Sequence, residues 1–469
     1  MLKNQNRIKK QRKVNPFVIL FSVIVLATVA TYIVSPGTFD REMVDGKTVI
    51  VADSFHAIAK SPLNPLEVFR SIPNGLVGSA SIMFLIMLVG GCLEVYNRTG
   101  AMDKGISRII SKADKWGSQV ILVIIMLAFV ITGGFLGWCE QIIPFIPLVV
   151  SLCLALGYDT ITGVACSGFI DLISFSTSPT NVYTVGIAHE ISGLPMFSGM
   201  PLRLIVLFIF NAISMFFILR YAAGVKKDPS RSLMAGINVE SLKKDYSQAQ
   251  DEKMSKNQAA ALVIFGITFV VAVYGVSKLG WSLNDLSAAF VFSGVAAGAV
   301  CLMSPSKIVD AFLDGARGSL NGAMVVGLAR GIQYILTEGG LVDPLINAMS
   351  KPLMGLPVWA TAIGVFLVVT LINGLIPSGS GKAMAIMPIL IPLADLVGLT
   401  RQTVVLAYQF GDGISNTAWF TYGTLLIYLS LGKIPLKKWY KFIAPILITL
   451  FVVACILLVV ATKINYGPF

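Results

Sequence analysis

Long apolar runs, separated by short polar or basic segments, dominate the chain. Several runs reach the length of about 18–20 residues that a helix needs to cross the hydrocarbon core of a bilayer. The pattern therefore predicts an all-α polytopic membrane protein. Its continuous crossings are expected at about Pro16–Val34, Pro73–Tyr96, Leu202–Tyr221, Gln258–Ser277, Leu286–Met303, Ala316–Thr337 and Phe442–Thr462.

Four hydrophilic segments connect these crossings. Asn97–Trp116 predicts an amphipathic helix at the cytoplasmic interface, because basic residues accompany apolar ones at helical spacing. Lys226–Asn257 is mixed in charge and predicts a cytoplasmic linker. Ser35–Arg70 predicts an outer loop with some β or amphipathic character, and Glu338–Gly355 predicts an outer amphipathic segment.

Two further apolar runs are interrupted in the middle by small and polar residues. Gly117–Gly157 is interrupted at Gly133–Gln141, and Pro357–Val397 at Asn373–Lys382. The first run is long enough for two full crossings or for one re-entrant helical hairpin. Its glycines and Glu140 favour the re-entrant hairpin, because a carboxylate at bilayer depth normally faces a cavity.

An interrupted helix is predicted after each hairpin. Thr160–Phe175 is followed by a break at Ser174–Asn181, where Pro179 removes a backbone donor, and the helix resumes to about Ala188. Thr400–Gly411 is followed by a break at Asp412–Trp419. Gly/Pro-interrupted segments at matching places in two halves are the best sequence indication of a transporter's binding site.

The interrupted segments form an internal repeat with an offset of 241 residues, which places Asp171 on Asp412 and Ser174 on Ser415. The placement of basic loops gives the two copies opposite orientations, so the sequence predicts two inverted repeats. The predicted units are an N-terminal part at 1–72, a first repeat at 73–226, a linker with two connecting helices at 227–313, and a second repeat at 314–469.

Charge and composition exclude several classes of function. Lys and Arg exceed Asp and Glu by 12, but the basic residues lie beside apolar spans, which excludes a nucleic-acid-binding face and indicates membrane topology. The basic segment Met1–Lys13 predicts a cytoplasmic N-terminus, and the run after it lacks a cleavage site and predicts a retained helix. The six Cys lie in apolar runs as small buried residues. Neither His lies near the interrupted segments, and no Walker-type GxxxxGK[ST] is present, so the sequence predicts neither an enzyme nor an ATP-driven pump, and no resident cofactor.

The interrupted segments supply the candidate site. Broken helices expose free N–H groups, suited to a carboxylate, at one end and free C=O groups, suited to a cation, at the other. The alternative is that their Ser, Thr and Asn only cap helices and that Lys382 only pairs with a carboxylate; Arg330 is also expected within reach of the cavity. The candidate solute-binding residues are Glu140, Gln141, Ser176, Thr177, Ser178, Thr180, Asn181, Ser378, Gly379, Ser380, Lys382, Asn416 and Thr417. The candidate residues for coupling to Na⁺ or H⁺ are Asp171, Ser174, Asp412 and Ser415.

Three motifs carry a resemblance to a known family. Ser378-Gly-Ser-Gly-Lys-Ala383, Met387-Pro388 and Gln409-Phe-Gly-Asp-Gly-Ile-Ser415 resemble the signature of the YfcC-type carriers, which belong with the four-carbon dicarboxylate anaerobic carriers in the ion transporter superfamily. The resemblance implies an inverted-repeat inner-membrane carrier with alternating access. It also implies a link to dicarboxylates or, in one branch, to arginine/ornithine exchange.

The sequence thus predicts a secondary active transporter of a small carboxylate-containing solute in the inner membrane. An amino acid, with arginine/ornithine exchange as one form, is favoured because acids outnumber bases in the interrupted segments. A dicarboxylate or short carboxylate carrier coupled to Na⁺ or H⁺ is the alternative, and a membrane-embedded enzyme is the rival from another class. The expected partners are the solute and the lipid bilayer, and a homodimer is left open.

Overall fold

The computed structural model describes residues 15–44, 47–51, 54–59, 63–244, 246 and 253–467. The segment Met1–Lys13, on which the cytoplasmic orientation of the N-terminus was predicted, lies outside the described residues. The described part is almost wholly helical. Within it, eight helical stretches are long and apolar enough to cross a membrane: Pro16–Ile33, Ala80–Arg98, Ser118–Leu136, Met200–Lys227, Lys256–Val276, Leu283–Val300, Gly379–Val397 and Leu436–Lys463. The predicted all-α polytopic class is confirmed.

The first part of the chain combines helices with a small β segment. Strands β1 (Gly37–Thr38) and β4 (His56–Ala57) pair antiparallel, as do β2 (Arg41–Val44) and β3 (Lys47–Ile50). The helices of this part are α1 (Pro16–Ile33), α2 (Glu67–Gly78), α3 (Ala80–Arg98) and α4 (Ala101–Trp116). The β character and the amphipathic helix predicted here are both present.

The first hairpin and the first broken helix follow. In the hairpin, α5 (Ser118–Ile131) continues as a π-helical turn, Thr132–Leu136, and the chain returns through a 3₁₀ segment, Glu140–Phe145, into α6 (Ile146–Ala155). The broken helix consists of α7 (Thr160–Val164), a π turn and α8 (Ile170–Ser176), then a π turn from Val182 and α9 (Ile187–Ile191). The long helix α10 (Met200–Lys227) completes this half.

Among the described residues, the linker and the second half contain nine α-helices. They are α11 (Lys256–Lys278), α12 (Leu283–Val300), α13 (Pro305–Glu338), α14 (Val342–Ser350), α15 (Val358–Asn373), α16 (Gly379–Val397), α17 (Arg401–Asn416), α18 (Gly423–Leu431) and α19 (Leu436–Lys463). Helices α15 and α16 form the second hairpin, and α17 and α18 the second broken helix. Ser255 and Ser282 each begin a helix with a capping box, which fixes the starts of α11 and α12.

The internal repeat holds at the level of elements. An offset of 241 residues carries the start of α7 at Thr160 to the start of α17 at Arg401, and the start of α4 at Ala101 to the start of α14 at Val342. The same offset relates the combined α2–α3 segment to α13. The unit boundaries given above stay predictions, but the order of elements within the two halves is the same.

The equivalent helices of the two halves run in opposite directions. A Cβ on Gly75 of α2 would lie 2.4 Å from the carbonyl oxygen of Gly327, and a Cβ on Gly90 of α3 would lie 2.0 Å from the Ser319 hydroxyl. Sequence position therefore rises along α2–α3 as it falls along the facing helix α13, so the repeats are inverted. Glycine is required along this contact because the backbones approach closely.

Four predicted boundaries are wrong. The crossing predicted over Pro73–Tyr96 is two helices, because the chain leaves the α conformation at Ser79. The helix predicted to break at Asp412 continues to Asn416, because the turn after Asp412 is buried like the rest of the helix. Helix α13 begins at Pro305 and α19 at Leu436, directly after Pro435, each earlier than predicted. The ring of proline fixes φ at a value that suits the start of a helix.

Candidate functional site

The tip of the second hairpin is held by a buried ion pair. The Lys382 ammonium lies 2.6 Å from Oδ1 of Asp412, and both side chains are almost fully excluded from solvent. Lys382 is in the first turn of α16, and a helical side chain points toward the N-terminus of its helix, so it reaches back to the tip. Of the two predicted alternatives for Lys382, pairing with a carboxylate is present.

Asn373, the last residue of α15, connects this tip to the second broken helix. Its Nδ2 donates to the Asp412 carbonyl at 2.8 Å, the Ser415 hydroxyl at 2.7 Å and Oδ1 of Asn416 at 2.8 Å. Its Oδ1 accepts from the Lys382 ammonium. One buried amide therefore fixes both the hairpin tip and the last turn of α17.

The equivalent place in the first half has a carboxylate without a basic partner. Asp171 is fully buried, and its Oδ1 accepts from the Thr132 hydroxyl at 2.7 Å. Its Oδ2 has no hydrogen-bond partner among the described residues. Ser174, one turn later, donates to Oδ1 of Asn211 at 2.9 Å.

The first helix break holds the first hairpin tip through side chains. The Ser178 hydroxyl donates to the Gly134 carbonyl at 2.5 Å, and the Thr180 hydroxyl to the Phe135 carbonyl at 2.9 Å. Asn181 caps the resumed helix by accepting from the amides of residues 183 and 184. These contacts satisfy carbonyls that the π turn of the hairpin leaves free.

The remaining predicted residues of the two breaks bond to their own helices. The hydroxyls of Ser176 and Thr177 both donate to the Ile173 carbonyl, and the hydroxyl of Thr417 donates to the Ile414 carbonyl. In the present conformation these hydroxyls end helices, and their predicted role in solute binding stays a prediction.

The two broken helices touch directly. A Cβ on Gly413 of α17 would lie 2.3 Å from Cα of Ser176 at the end of α8, so only glycine allows this approach. Beside it, Nε2 of Gln409 donates to the Ser178 carbonyl at 2.7 Å, and its Oε1 accepts from the buried Arg203 at 2.5 Å. The guanidinium thus lies near the C-terminal end of α8, where a helix dipole favours a cation.

A cavity of about 180 Å³ lies where the two hairpin tips and the second helix break meet. Seven predicted residues line it: Glu140, Gln141, Ser378, Gly379, Ser380, Asp412 and Asn416. Asp171, Ser174, Lys382 and Ser415 lie behind its wall. The structure therefore brings together the two tips and the second break, whereas the first break contributes Phe175 and Tyr183 from its flanks.

Arg330 of α13, which was expected within reach of the cavity, lines it. The cavity also contains residues that the sequence did not indicate: Gln333 of α13, Ser79 at the unpredicted helix break, and the pair Tyr422 and Thr424. A polar pair at i and i+3 within an apolar helix was the available signal for α13. Nothing in the local pattern indicated the others.

Two opposite charges in this cavity are left unpaired by the protein. Glu140 accepts from the Thr424 hydroxyl at 3.2 Å, and neither it nor Arg330 has an ion-pair partner among the described residues. Both side chains are partly exposed to the cavity. The described residues contain no group of three His, Cys, Asp or Glu side chains that could hold a metal ion.

Inverted repeats with paired hairpins and broken helices around a small polar cavity define a secondary transporter. The family model described as DcuC, C4-dicarboxylate anaerobic carrier, matches residues 15–463, and the chain belongs to this family. It is a carrier and not an enzyme.

Two relatives are similar over most of their length. One is YfcC of Escherichia coli strain K12, whose name proposes a basic amino acid antiporter; it is 27% identical, with 96% of both chains covered. The other is an uncharacterized protein of Haemophilus influenzae Rd, 27% identical, with 89% of this chain and 82% of that protein covered.

Two solved transporters are also similar. The YdaH transporter of Alcanivorax borkumensis has a TM-score of 0.47 at 14% identity, with 97% of this chain and all of that chain covered. The MtrF efflux pump of Neisseria gonorrhoeae has a TM-score of 0.46 at 14% identity, with 98% of both chains covered.

Proposed function

We propose that this carrier moves an amino acid by alternating access, with arginine/ornithine exchange as the favoured form because the name of the YfcC relative proposes a basic amino acid antiporter. The observation that carries the proposal is the pair of unpaired opposite charges, Glu140 and Arg330, in one cavity. The α-carboxylate and one cationic group of an amino acid satisfy both charges at once. A solute with a single charge leaves one of them buried and uncompensated.

The roles within the cavity follow from charge. Arg330 and the free N–H groups at the start of α16, at Gly379 and Ser380, suit the α-carboxylate of the solute. Glu140 suits its ammonium or guanidinium group, with the Thr424 hydroxyl orienting the carboxylate. Asp412 is left to Lys382 and adds no net charge.

A dicarboxylate carrier coupled to Na⁺ or H⁺ is the second candidate, favoured by the description of the family. In that case one carboxylate binds at Arg330 and the other must bind at the hairpin N-terminus. Glu140 then has to be neutralised by a proton or a cation before the solute can enter.

Thermal unfolding of the purified protein with candidate solutes separates the two. Arginine or ornithine is expected to raise the transition temperature of the wild type, because a ligand that binds only the folded state stabilises it by mass action. Dicarboxylates are the comparison, each tested with Na⁺ and with choline. A shift with dicarboxylates alone would contradict the amino-acid proposal.

Two variants assign the charges. Glu140→Gln is expected to abolish the rise in transition temperature with arginine. Arg330→Gln is expected to weaken the binding of every carboxylate-bearing solute. Arg317→Gln is the matched control, because Arg317 is on the same helix with its side chain 75% exposed. An unchanged response in both cavity variants would overturn the site.

The chain is a multi-span membrane carrier. Its location in the inner membrane and the cytoplasmic position of its N-terminus are part of the proposal. The homodimer stays a prediction, and multi-angle light scattering in detergent tests it.

A further inference from the structure

The ammonium of Lys382 is enclosed by oxygen atoms. Its neighbours are Oδ1 of Asp412 at 2.6 Å, Oδ1 of Asn373, and the carbonyl oxygen of Ile376 at 3.4 Å. A carboxylate, an amide oxygen and a carbonyl of unwound backbone form a donor set that suits a small monovalent cation. Here that position is filled by a cation attached to the chain.

The first half lacks such a tethered charge. Under the 241-residue offset, Asn373 corresponds to Thr132, Asp412 to Asp171, and Lys382 to the neutral Gln141. Asp171 is as deeply buried as Asp412, and Oδ2 of each carboxylate lacks a hydrogen-bond partner among the described residues. Asp412 has the ammonium of Lys382 as an ion-pair partner, whereas the described residues give Asp171 none. A buried carboxylate in that position needs a positive charge or a proton from outside the protein.

We propose that Lys382 takes the place of a free coupling cation in the second half, so that of the two equivalent carboxylates, Asp171 and Asp412, only Asp171 is left for one. The oxygen atoms of Asp412, Asn373 and Ile376 form a cage that suits a cation. A free cation does not enter it because the ammonium of Lys382 already occupies it. The carrier then binds fewer free cations per cycle than its two-fold repeat suggests, whichever solute the cavity takes.

The geometry explains why a lysine is tolerated at this position. A basic residue in the first turn of a helix faces an unfavourable helix dipole. The ion pair to Asp412 offsets that cost, and Asn373 satisfies a further ammonium proton. A free cation in the same cage would make the same contacts. Unlike the Lys382 side chain, it would not connect the hairpin tip covalently to the first turn of α16.

Emptying the cage is the test, and it is made on the purified full-length protein without solute. Lys382→Gln removes the tethered charge, and retention of radioactive sodium on a desalting column is measured against the wild type. The variant is expected to retain stoichiometric extra sodium, and NaCl is expected to raise its transition temperature by about 2 °C more than choline chloride does. Adding Asp412→Asn to this variant is expected to abolish both gains.

Lys226→Gln is the matched control, because the described contacts of Lys226 are the Ser118 hydroxyl and the ring of Tyr158 rather than a carboxylate. It is expected to gain no sodium. A folded Lys382→Gln protein that gains no sodium would overturn the proposal.

A second measurement applies even where Lys382→Gln does not fold. Asp171→Asn leaves the Lys382 cage filled, so this variant is expected to retain less sodium than the wild type, and adding Asp412→Asn is expected to lower that retention no further. Sodium bound to Asp171→Asn and lost on adding Asp412→Asn would show that the second half takes a free cation, and the proposal would be wrong. Both measurements follow sodium binding without solute. Their outcome is therefore independent of whether the amino-acid proposal is correct.

Discussion

The two halves of the carrier place the same two carboxylates in different electrostatic surroundings. The carboxylate of Asp412 in the second half is paired with Lys382, and Asn373 donates to the main-chain carbonyl of Asp412. Asp171 in the first half is buried to the same degree with one hydroxyl, that of Thr132. The halves therefore share a backbone plan but not a charge balance, and the difference falls at the positions expected to govern cation coupling.

The largest effect is expected from removing the paired carboxylate. Asp412→Asn leaves the buried ammonium of Lys382 without a counter-charge, which costs about 3–5 kcal/mol of folding free energy. Asp171→Asn removes an unpaired buried charge and is expected to leave stability unchanged or higher. Thermal unfolding in detergent measures the contrast, and flux in proteoliposomes is expected to be lost in both variants.

A double variant sharpens this result. Lys382→Gln with Asp412→Asn removes both charges, and replacement of a complete buried pair is often neutral. Its stability is expected to return to near that of the wild type. Equal stability of Asp412→Asn and Asp171→Asn would remove the proposed difference between the halves.

The next largest loss of stability is expected from removing the contact between the halves at Arg203 and Gln409. Arg203→Met deletes the donor to Gln409, whose Oε1 is then left unsatisfied beside the first helix break, and about 3 kcal/mol is expected to be lost. Arg220→Met is the control, because Arg220 is on the same helix and exposed. Stability equal to that of the control would mean that the buried guanidinium does not support the break.

Equivalent glycines at the two tips are expected to differ. A Cβ on Gly133 would lie 2.2 Å from the carbonyl oxygen of Asp171, whereas a Cβ on Gly374 would meet the ring of Trp419 at 2.8 Å. Backbone cannot move aside as a side chain can, so Gly133→Ala is expected to cost about 1–3 kcal/mol and Gly374→Ala less. Transition temperatures are compared with Gly318→Ala, a glycine with open space around it. The reverse order would contradict this account of the tips.

The smallest effect is expected at the exposed ion pair between Arg401 and Asp395, which closes the second hairpin onto α17 at 2.7 Å. Arg401→Gln is expected to change stability by less than about 1 kcal/mol, because exposed pairs contribute little. The same unfolding measurement checks it. A loss comparable to that of Asp412→Asn would show that the pair anchors the halves through the Arg401 contact with the Ser192 carbonyl.

Much of the fold could be predicted because local signals carry it. The glycines at Gly133 and Gly374 indicated the hairpin tips, and Pro179 marked the first helix break. The break at Ser79 gave no comparable signal, since no proline or charge accompanies it. The continuation of α17 past Asp412 depends on burial by neighbouring helices, which outweighs the poor helix propensity of Gly413.

The candidate site could be predicted only in part. Glu140 and the Ser378–Ser380 segment were selected because polar groups inside apolar runs are costly and therefore informative. Ser178 and Thr180 of the first break were selected on the same ground, and in the structure their hydroxyls bond to the first hairpin tip. A side chain that caps a helix and one that faces a solute have the same sequence signature, and only their surroundings separate them.

The sequence by itself determined the membrane class, the internal repeat and the segments where helices are interrupted. These depend on hydrophobicity and backbone preference, which act over a few neighbouring residues. The tertiary structure alone decided that Lys382 pairs with Asp412 rather than Asp171, and that Arg330 shares a cavity with Glu140. Charge pairing is a matter of distance in space, and residues far apart along the chain come within that distance only when the helices pack.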